Sequence, residues 1–238
     1  SLKFEKERPA VYAFLREQLS EGRQVYIVYP LVDESEKIDL KAATASFERL
    51  RTEIFPEIST GLVHGKMPTE QRDEVMAAFK EGSIRILVST TVIEVGIDIS
   101  NATVMVVEHA ERFGLSQLHQ LRGRVGRGSS QSYAILMAPD WMRARISQSA
   151  SLLPEEGEPD ENVVAVRRLL IMRDTDDGFK IAEYDLILRG PGEFFGTRQS
   201  GLPRLRIADL LTDQEILDLA RADAVATVDR DPHLRLSE

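Results

Sequence analysis

Short β-branched runs alternate with stretches of helical periodicity over about the first 150 residues, and few architectures accept that order. Strands separated by helices pair in parallel, and a parallel sheet needs helices on both of its faces. Arg8 to Leu19 reads as a helix, and Gln24 to Tyr29 (QVYIVY) as a buried strand. Leu40 to Ile54 is helical, and Gly61 to Val63 is a short strand. Pro68 suits a first helical position, with Val75, Ala78 and Phe79 forming an apolar face at i, i+3, i+4 before Gly82 stops the helix. Ile84 to Ser89 and Thr103 to Val107 read as inner strands, Ser116 to Val125 as a helix and Tyr133 to Met137 as a last strand. The expected fold class is α/β: a parallel-sheet lobe over residues 1–150.

A different pattern fills residues 151–238. The polar, proline-containing stretch 152–161 (LLPEEGEPDE) predicts a linker. Two helical stretches, 162–173 and about 178–187, flank the turn signal TDDG and predict a helical hairpin. The following RGPGEFFGTRQSGLP holds four glycines and two prolines in fifteen residues, which predicts a loop. Residues 207–228 read as closing helices. Trp141 is expected to pack against a helix, and Phe194 and Phe195 to be docking hydrophobes.

Composition narrows the function classes. There are no cysteines, which removes disulfides and thiolate metal sites, and His64, His109, His119 and His233 fall in no ligand spacing. No metal site is expected. No run reaches the roughly 18 apolar residues of a membrane span, and the N-terminus lacks a secretion signature, so the expected location is cytoplasmic, without membrane contact. The net charge of −9 argues against nucleic acid when taken alone. Its distribution does not: residues 151–177 hold eight acids and three arginines, whereas residues 111–145 hold six arginines against two acids, and 189–206 four arginines against one. Local basic strips in an acidic chain still grip a phosphate backbone.

The segment most charged with chemistry is Gln117 to Gly128, QLHQLRGRVGRG, with the core Gln120-x-x-Gly123-Arg124-x-x-Arg127. Two arginines three apart on one helix face converge on one anion, and the guanidinium fork matches phosphate oxygens. Its glycines do not make a dinucleotide loop, because the segment follows a helix and not a strand. Upstream, Ser89 to Ala102 (STTVIEVGIDISNA) follows a strand, where open α/β sheets place ligands.

These segments resemble motifs VI and V of superfamily 2 helicases. The resemblance implies that Arg124 and Arg127, with Gln120, reach across a cleft to the γ-phosphate of ATP held by a partner lobe, and that Gly96 and Asp98 face the nucleotide. Thr90 would contact the DNA backbone. Tyr26 to Glu36 is similar to motif IV, and His64-Gly65-Lys66-Met67 to a loop that touches nucleic acid in helicases. Residues 173–201, DGF-x-I-A-E-x-D-L-x-L-R-G-P-G-E followed by G-T-R-Q-S-G, resemble the TRG element of the RecG family of branched-DNA translocases. By position the resemblance gives Arg168, Arg189, Arg198 and Gln199 roles in DNA contact or in coupling ATP state to DNA movement. For Arg168 a structural role, pinning the loop to the hairpin, is the expected one.

What the resemblance implies as a whole is a RecA-like lobe followed by a hairpin, a translocation loop and terminal helices. The parent protein would be a bacterial, nucleoid-associated monomer that uses ATP and Mg2+, bound mainly by an N-terminal lobe, to remodel forks and Holliday junctions with the help of a wedge domain. Two other readings stand beside it: a transcription-repair coupling factor, and a DNA- or nucleotide-binding module that acts alone. The chain has neither a G-x-x-x-x-G-K-[ST] phosphate loop nor an acidic strand-end motif for magnesium. The isolated chain is therefore expected to turn ATP over far below ~1 s⁻¹, even with branched DNA present, in a steady-state assay; turnover at or above that figure would refute the half-site reading.

Overall fold

The computed structural model describes residues 1–30, 36–90, 99–126, 131–148, 161–194 and 214–231. They comprise two compact units, Ser1–Leu188 and Arg189–Glu238. The first unit holds a six-stranded sheet in the order β1-β6-β5-β2-β4-β3, with every pairing parallel. Its strands are β1 (Leu2–Phe4), β2 (Gln24–Tyr29), β3 (Thr60–Val63), β4 (Ile86–Thr90), β5 (Ala102–Val107) and β6 (Tyr133–Ala138). The α/β class expected from the alternation is the one observed.

Both faces of the sheet are buried, and the residues sort onto them with a period of two. Val25, Ile27 and Tyr29 of β2 share one core with Val11, Leu15 and Leu19 of α1 (Arg8–Ser20) and Ala43 of α2 (Glu36–Arg49). Tyr26 and Val28 point the other way, into a core with Met76 and Phe79 of α3 (Thr69–Lys80) and Leu115, Leu118 and Leu121 of α4 (Leu115–Arg122). Met142 and Ile146 of α5 (Met142–Gln148) and Val164, Leu169 and Ile171 of α6 (Glu161–Asp174) complete this second core. Aromatic rings set the fit: Tyr26 meets Phe79 edge-on at 4.9 Å.

Several expectations need correcting. Strand β1 was not expected; three residues are too few for a periodic signal, and its pairing with the distant β6 (Leu2 opposite Leu136) is a tertiary event. Pro68 caps α3 from outside: it is extended, at φ −54° and ψ 140°, and its carbonyl accepts from the Arg72 amide at 3.1 Å. The buried face of α3 is Met76 and Phe79, with Val75 and Ala78 only partly covered. Trp141 is 49% exposed and stacks under the Arg145 guanidinium at 5.4 Å, so it does not pack into a helix interface. Helix α7 spans Gly178–Phe194 and so runs through Arg189–Phe194, the start of the expected loop. Glycine and proline are poor helix formers, yet extending a helix past Leu188 needs no new nucleus. Residues 195–213, with Phe195, lie outside the described residues, as does most of the expected linker; α8 spans Gln214–Arg230 in the second unit.

The first compact unit extends to Leu188, beyond the division at residue 150 expected from the linker. The reason is the packing of α6, whose Val164, Leu169 and Ile171 join the lobe core alongside α4 and α5. Phe79 is fully buried, and its carbonyl also accepts from the buried Gln24 amide. Phe79→Ala is expected to lower the unfolding free energy by about 3–5 kcal/mol; urea titration followed by far-UV circular dichroism checks this.

Candidate functional site

Because β3 and β4 pair with Val63 opposite Ser89, the next residues, His64 and Thr90, lie side by side at the carboxyl ends of their strands. Thr90 is 1% exposed, and among the described residues its Oγ1 has no hydrogen-bond partner; Ser89 Oγ beside it has none either. The His64 Nδ1 is likewise enclosed and unpartnered, and burial, with Lys66 adding repulsion, holds the imidazole below its usual titration range. The Met67 amide donates to the His64 carbonyl at 3.1 Å, closing the turn. Three unsatisfied polar side chains at one strand edge are unusual, since enclosed polar groups are normally bonded. Gly96 and Asp98 lie outside the described residues.

The arginine-bearing segment begins on α4 but leaves it early. The helix ends at Arg122, Gly123 caps it, and Gly126 turns at φ 92°, in the left-handed region that favours glycine. Arg124 therefore sits in a turn, which corrects the expectation that it shares a helix face with Arg127. Arg127 lies outside the described residues. Gln120 is exposed on α4. Arg124 is half-buried, and among the described residues its guanidinium makes no hydrogen bond or ion pair. Arg122, two positions earlier, is fully engaged: its Nη1 donates to the Thr175 carbonyl at 2.8 Å and to Asp176 Oδ1 at 2.9 Å. One arginine is thus bonded to the α6–α7 turn, and the other makes no such contact among the described residues.

Two buried ion pairs fix the approach to α4. Arg8, at the start of α1, forms a two-pronged bond with Glu108, just past β5, at 2.5 and 2.9 Å. Glu108 is 3% exposed, and the hydrogen bonds that Arg8 donates to it raise the Arg8 pKa. Burial, reinforced by the Glu108 charge, also raises the Tyr29 phenol, which is hydrogen-bonded to Ser46. Arg112 makes a second fork with the buried Asp39 of α2, at 2.7 and 3.0 Å. Between these pairs His109 takes a left-handed conformation, φ 50° and ψ 50°, which costs an L-residue about 1 kcal/mol. Sequence reasoning missed Arg8, Asp39, Glu108, Arg112 and Arg122, each a charged residue whose partner lies on another element, and no spacing within the chain reveals such a pair. It also missed the left-handed turn at His109.

Of the hairpin residues, Arg168 is half-buried on α6 beside the buried Arg167, and Arg189 lies on α7. Arg198 and Gln199 lie outside the described residues. Among the described residues no cluster of His, Asp or Glu has the make-up of a metal site, and no helix is long and apolar enough to cross a membrane.

A parallel α/β lobe that presents unsatisfied polar groups at its strand ends and an unengaged arginine after a short helix has the build of a helicase motor lobe. The chain belongs to the helicase conserved C-terminal domain family, whose model matches residues 9–129. Residues 175–238 match a second model, the C-terminal part of domain 3 of the ATP-dependent DNA helicase RecG. The chain is 50% identical to RecG of Synechocystis sp. over 96% of its own length and 25% of the relative's. It is 49% identical to RecG of Thermotoga maritima, over 90% of its own length and 25% of the relative's. A solved structure of RecG bound to a three-way DNA junction matches with a TM-score of 0.62 at 43% identity, covering 91% of this chain and 25% of that one. The chain thus spans about a quarter of the length of the relatives it matches.

His109 provides a test of the strained turn. Its Nδ1 lies 3.5 Å from Glu111 Oε1, and that interaction raises the imidazole pKa above its usual value of about 6.5. A raised folded-state pKa means that the contact stabilises the fold at pH below the unfolded value, and that this contribution is lost as pH rises through the folded one. Glu111→Gln is expected to bring the His109 titration midpoint down toward about 6.5, read from its ring protons by NMR. An unchanged midpoint would refute the pairing.

Proposed function

We propose that this chain is the second motor lobe and coupling element of an ATP-dependent translocase that remodels branched double-stranded DNA, forks and Holliday junctions among them. The observation that carries the reading is the joining, in one chain, of Arg124, which makes no hydrogen bond or ion pair among the described residues, with a RecG-type element over residues 175–238. Similarity to RecG over nearly the whole chain, and to the RecG structure with a three-way junction, supports it. The phosphate loop and metal carboxylates would lie on an N-terminal lobe, with a wedge domain for the junction. The protein would act as a monomer in the bacterial cytoplasm, near the nucleoid.

ATP with Mg2+, when bound, supplies the phosphoryl transfer that drives movement. Arg124 fits the outer phosphates as a fixed fork of donors, and Arg127 is assigned beside it, with Gln120 placing the pair. Their task is to neutralise negative charge that builds up as the terminal phosphoryl group departs. Gly96 and Asp98 are assigned to the nucleotide side of the same cleft. Thr90 and His64 would offer their unsatisfied groups to the DNA backbone, which positions a protein without reading sequence. Arg168, Arg189, Arg198 and Gln199 are assigned to the element that turns lobe rotation into DNA movement, with Arg168 in the structural part of it.

In the full-length protein, Arg127→Ala is expected to cut ATP turnover by about 10³-fold or more while nucleotide affinity stays close to wild type. Arg124→Ala should do the same with some loss of affinity. Steady-state turnover and binding of a fluorescent ATP analogue are the measurements. Near-normal turnover in Arg127→Ala would refute the assignment.

A further inference from the structure

Trp141 is the single tryptophan of the chain, and it stands 49% exposed on the turn that leaves β6. The turn is short. Strand β6 ends at Ala138, the Met142 amide donates to the Pro139 carbonyl at 3.1 Å, and α5 starts at Met142. Burial splits α5: Met142 and Ile146 enter the core, whereas Arg143 and Arg145 are exposed. Residues 141–148 (WMRARISQ) contain no acid. Asp140, the acid just before them, accepts from the Lys6 amide through Oδ1 at 3.1 Å.

Two rings order these cations. The Arg145 guanidinium lies over the Trp141 ring at 5.4 Å, and the Arg143 guanidinium over the Phe4 ring, also at 5.4 Å. Phe4 is buried in β1, so its contact ties Arg143 to the sheet as well as to its own helix. A guanidinium is drawn to a ring through its flat face, and its N–H donors lie in the plane of the fork, where an anion meets them. Two such forks beside an exposed indole fit a nucleotide strand, in which phosphates alternate with sugars and bases.

The place of the patch in the lobe points the same way. All six strands are parallel, so the turn after β6 stands at the same edge of the sheet as His64 and Thr90. Strands β5 and β2 lie between β6 and β4, so three strand spacings, about 14 Å, part the end of β6 from that of β4. That distance is about four base pairs of a duplex at a rise of about 3.4 Å each. The chain carries a net charge of −9, and a stretch with two arginines and no acid is where a polyanion meets least repulsion.

We propose that Trp141, Arg143 and Arg145 form a second DNA-contact patch, which holds the backbone of a double-stranded arm about four base pairs along the sheet edge from Thr90. The arginines bind phosphates and the indole packs on a sugar face. The patch reads no sequence; it adds grip and sets the line along which the duplex crosses the lobe.

This inference rests on the function proposed above, and its test uses the full-length protein and a fork whose arms are all double-stranded. The double variant Arg143→Ala, Arg145→Ala is expected to weaken fork binding about tenfold near about 0.1 M salt. It should also lower the log–log salt slope by about 2, because each phosphate contact contributes about 0.9. Trp141→Ala should weaken binding about fivefold and change the slope by less than about 1. In DNA-stimulated ATP hydrolysis these variants should raise the DNA concentration at half-maximal rate, with the saturated rate within about twofold of wild type. A purely structural role would instead lower the saturated rate and the melting temperature together. The tryptophan emission that Trp141→Phe removes should be quenched in the wild type by a blunt duplex. Unchanged affinity and salt slope in the double arginine variant would overturn the proposal and leave the patch to a protein partner. So would quenching by single strands alone, or a lower saturated rate with an unchanged DNA requirement. A wild-type protein that does not bind forks would instead overturn the functional reading, and the patch with it.

Discussion

A parallel sheet leaves no face to water, and the rest of this lobe follows from that requirement. The inner strands β2, β4 and β5 are buried along their whole length, so apolar residues are needed on both sides of each. Helices α1 and α2 close one side; α3, α4, α5 and α6 close the other. Parallel pairing also brings every strand's carboxyl end to one edge. There His64 and Thr90 stand beside each other although 26 positions separate them, as the pairing of Val63 with Ser89 requires. The same demand for cover draws α6 into the lobe and so seats the hairpin on the core.

Charge is arranged to hold this scaffold at a few points and to leave others open. The Arg8–Glu108 and Arg112–Asp39 forks are largely enclosed, where loss of one partner would strand a charge in a poorly solvated place. They bracket His109, whose left-handed backbone would otherwise be free to relax. Downstream, α4 stops at Arg122 because glycines end it, and the chain then carries Arg124 clear of the helix. Arg122 and Arg124 are chemically identical and two positions apart. They differ in what each meets: Arg122 reaches the carbonyls of the α6–α7 turn, whereas Arg124 makes no hydrogen bond or ion pair among the described residues.

The side of α4 that packs into the core, through Leu115, Leu118 and Leu121, holds this short helix firmly, and its last turn faces the hairpin. At the strand ends Ser89, Thr90 and His64 hold polar atoms that find no hydrogen-bond partner among the described residues.

The amino-acid sequence by itself determined the α/β class and nearly every element of the lobe. Gln24–Tyr29 is a strand with the bounds its composition predicts, and α1, β5 and β6 differ from their predicted bounds by a residue or so, because apolar period and turn residues are local signals. The glycine- and arginine-bearing segments at 89–102 and 117–128 stand out in the sequence as candidates for phosphate and DNA chemistry, because such motifs are contiguous. Only the tertiary structure decided which of the neighbouring arginines is held by the rest of the lobe. Nothing local distinguishes Arg122 from Arg124; the difference is a set of carbonyls 50 to 54 positions away. Strand β1, the exposure of Trp141 and the two buried ion pairs were hidden for the same reason. Each depends on residues far apart in the chain being brought together by burial, and burial is a property of the whole packed core that no short window of sequence contains.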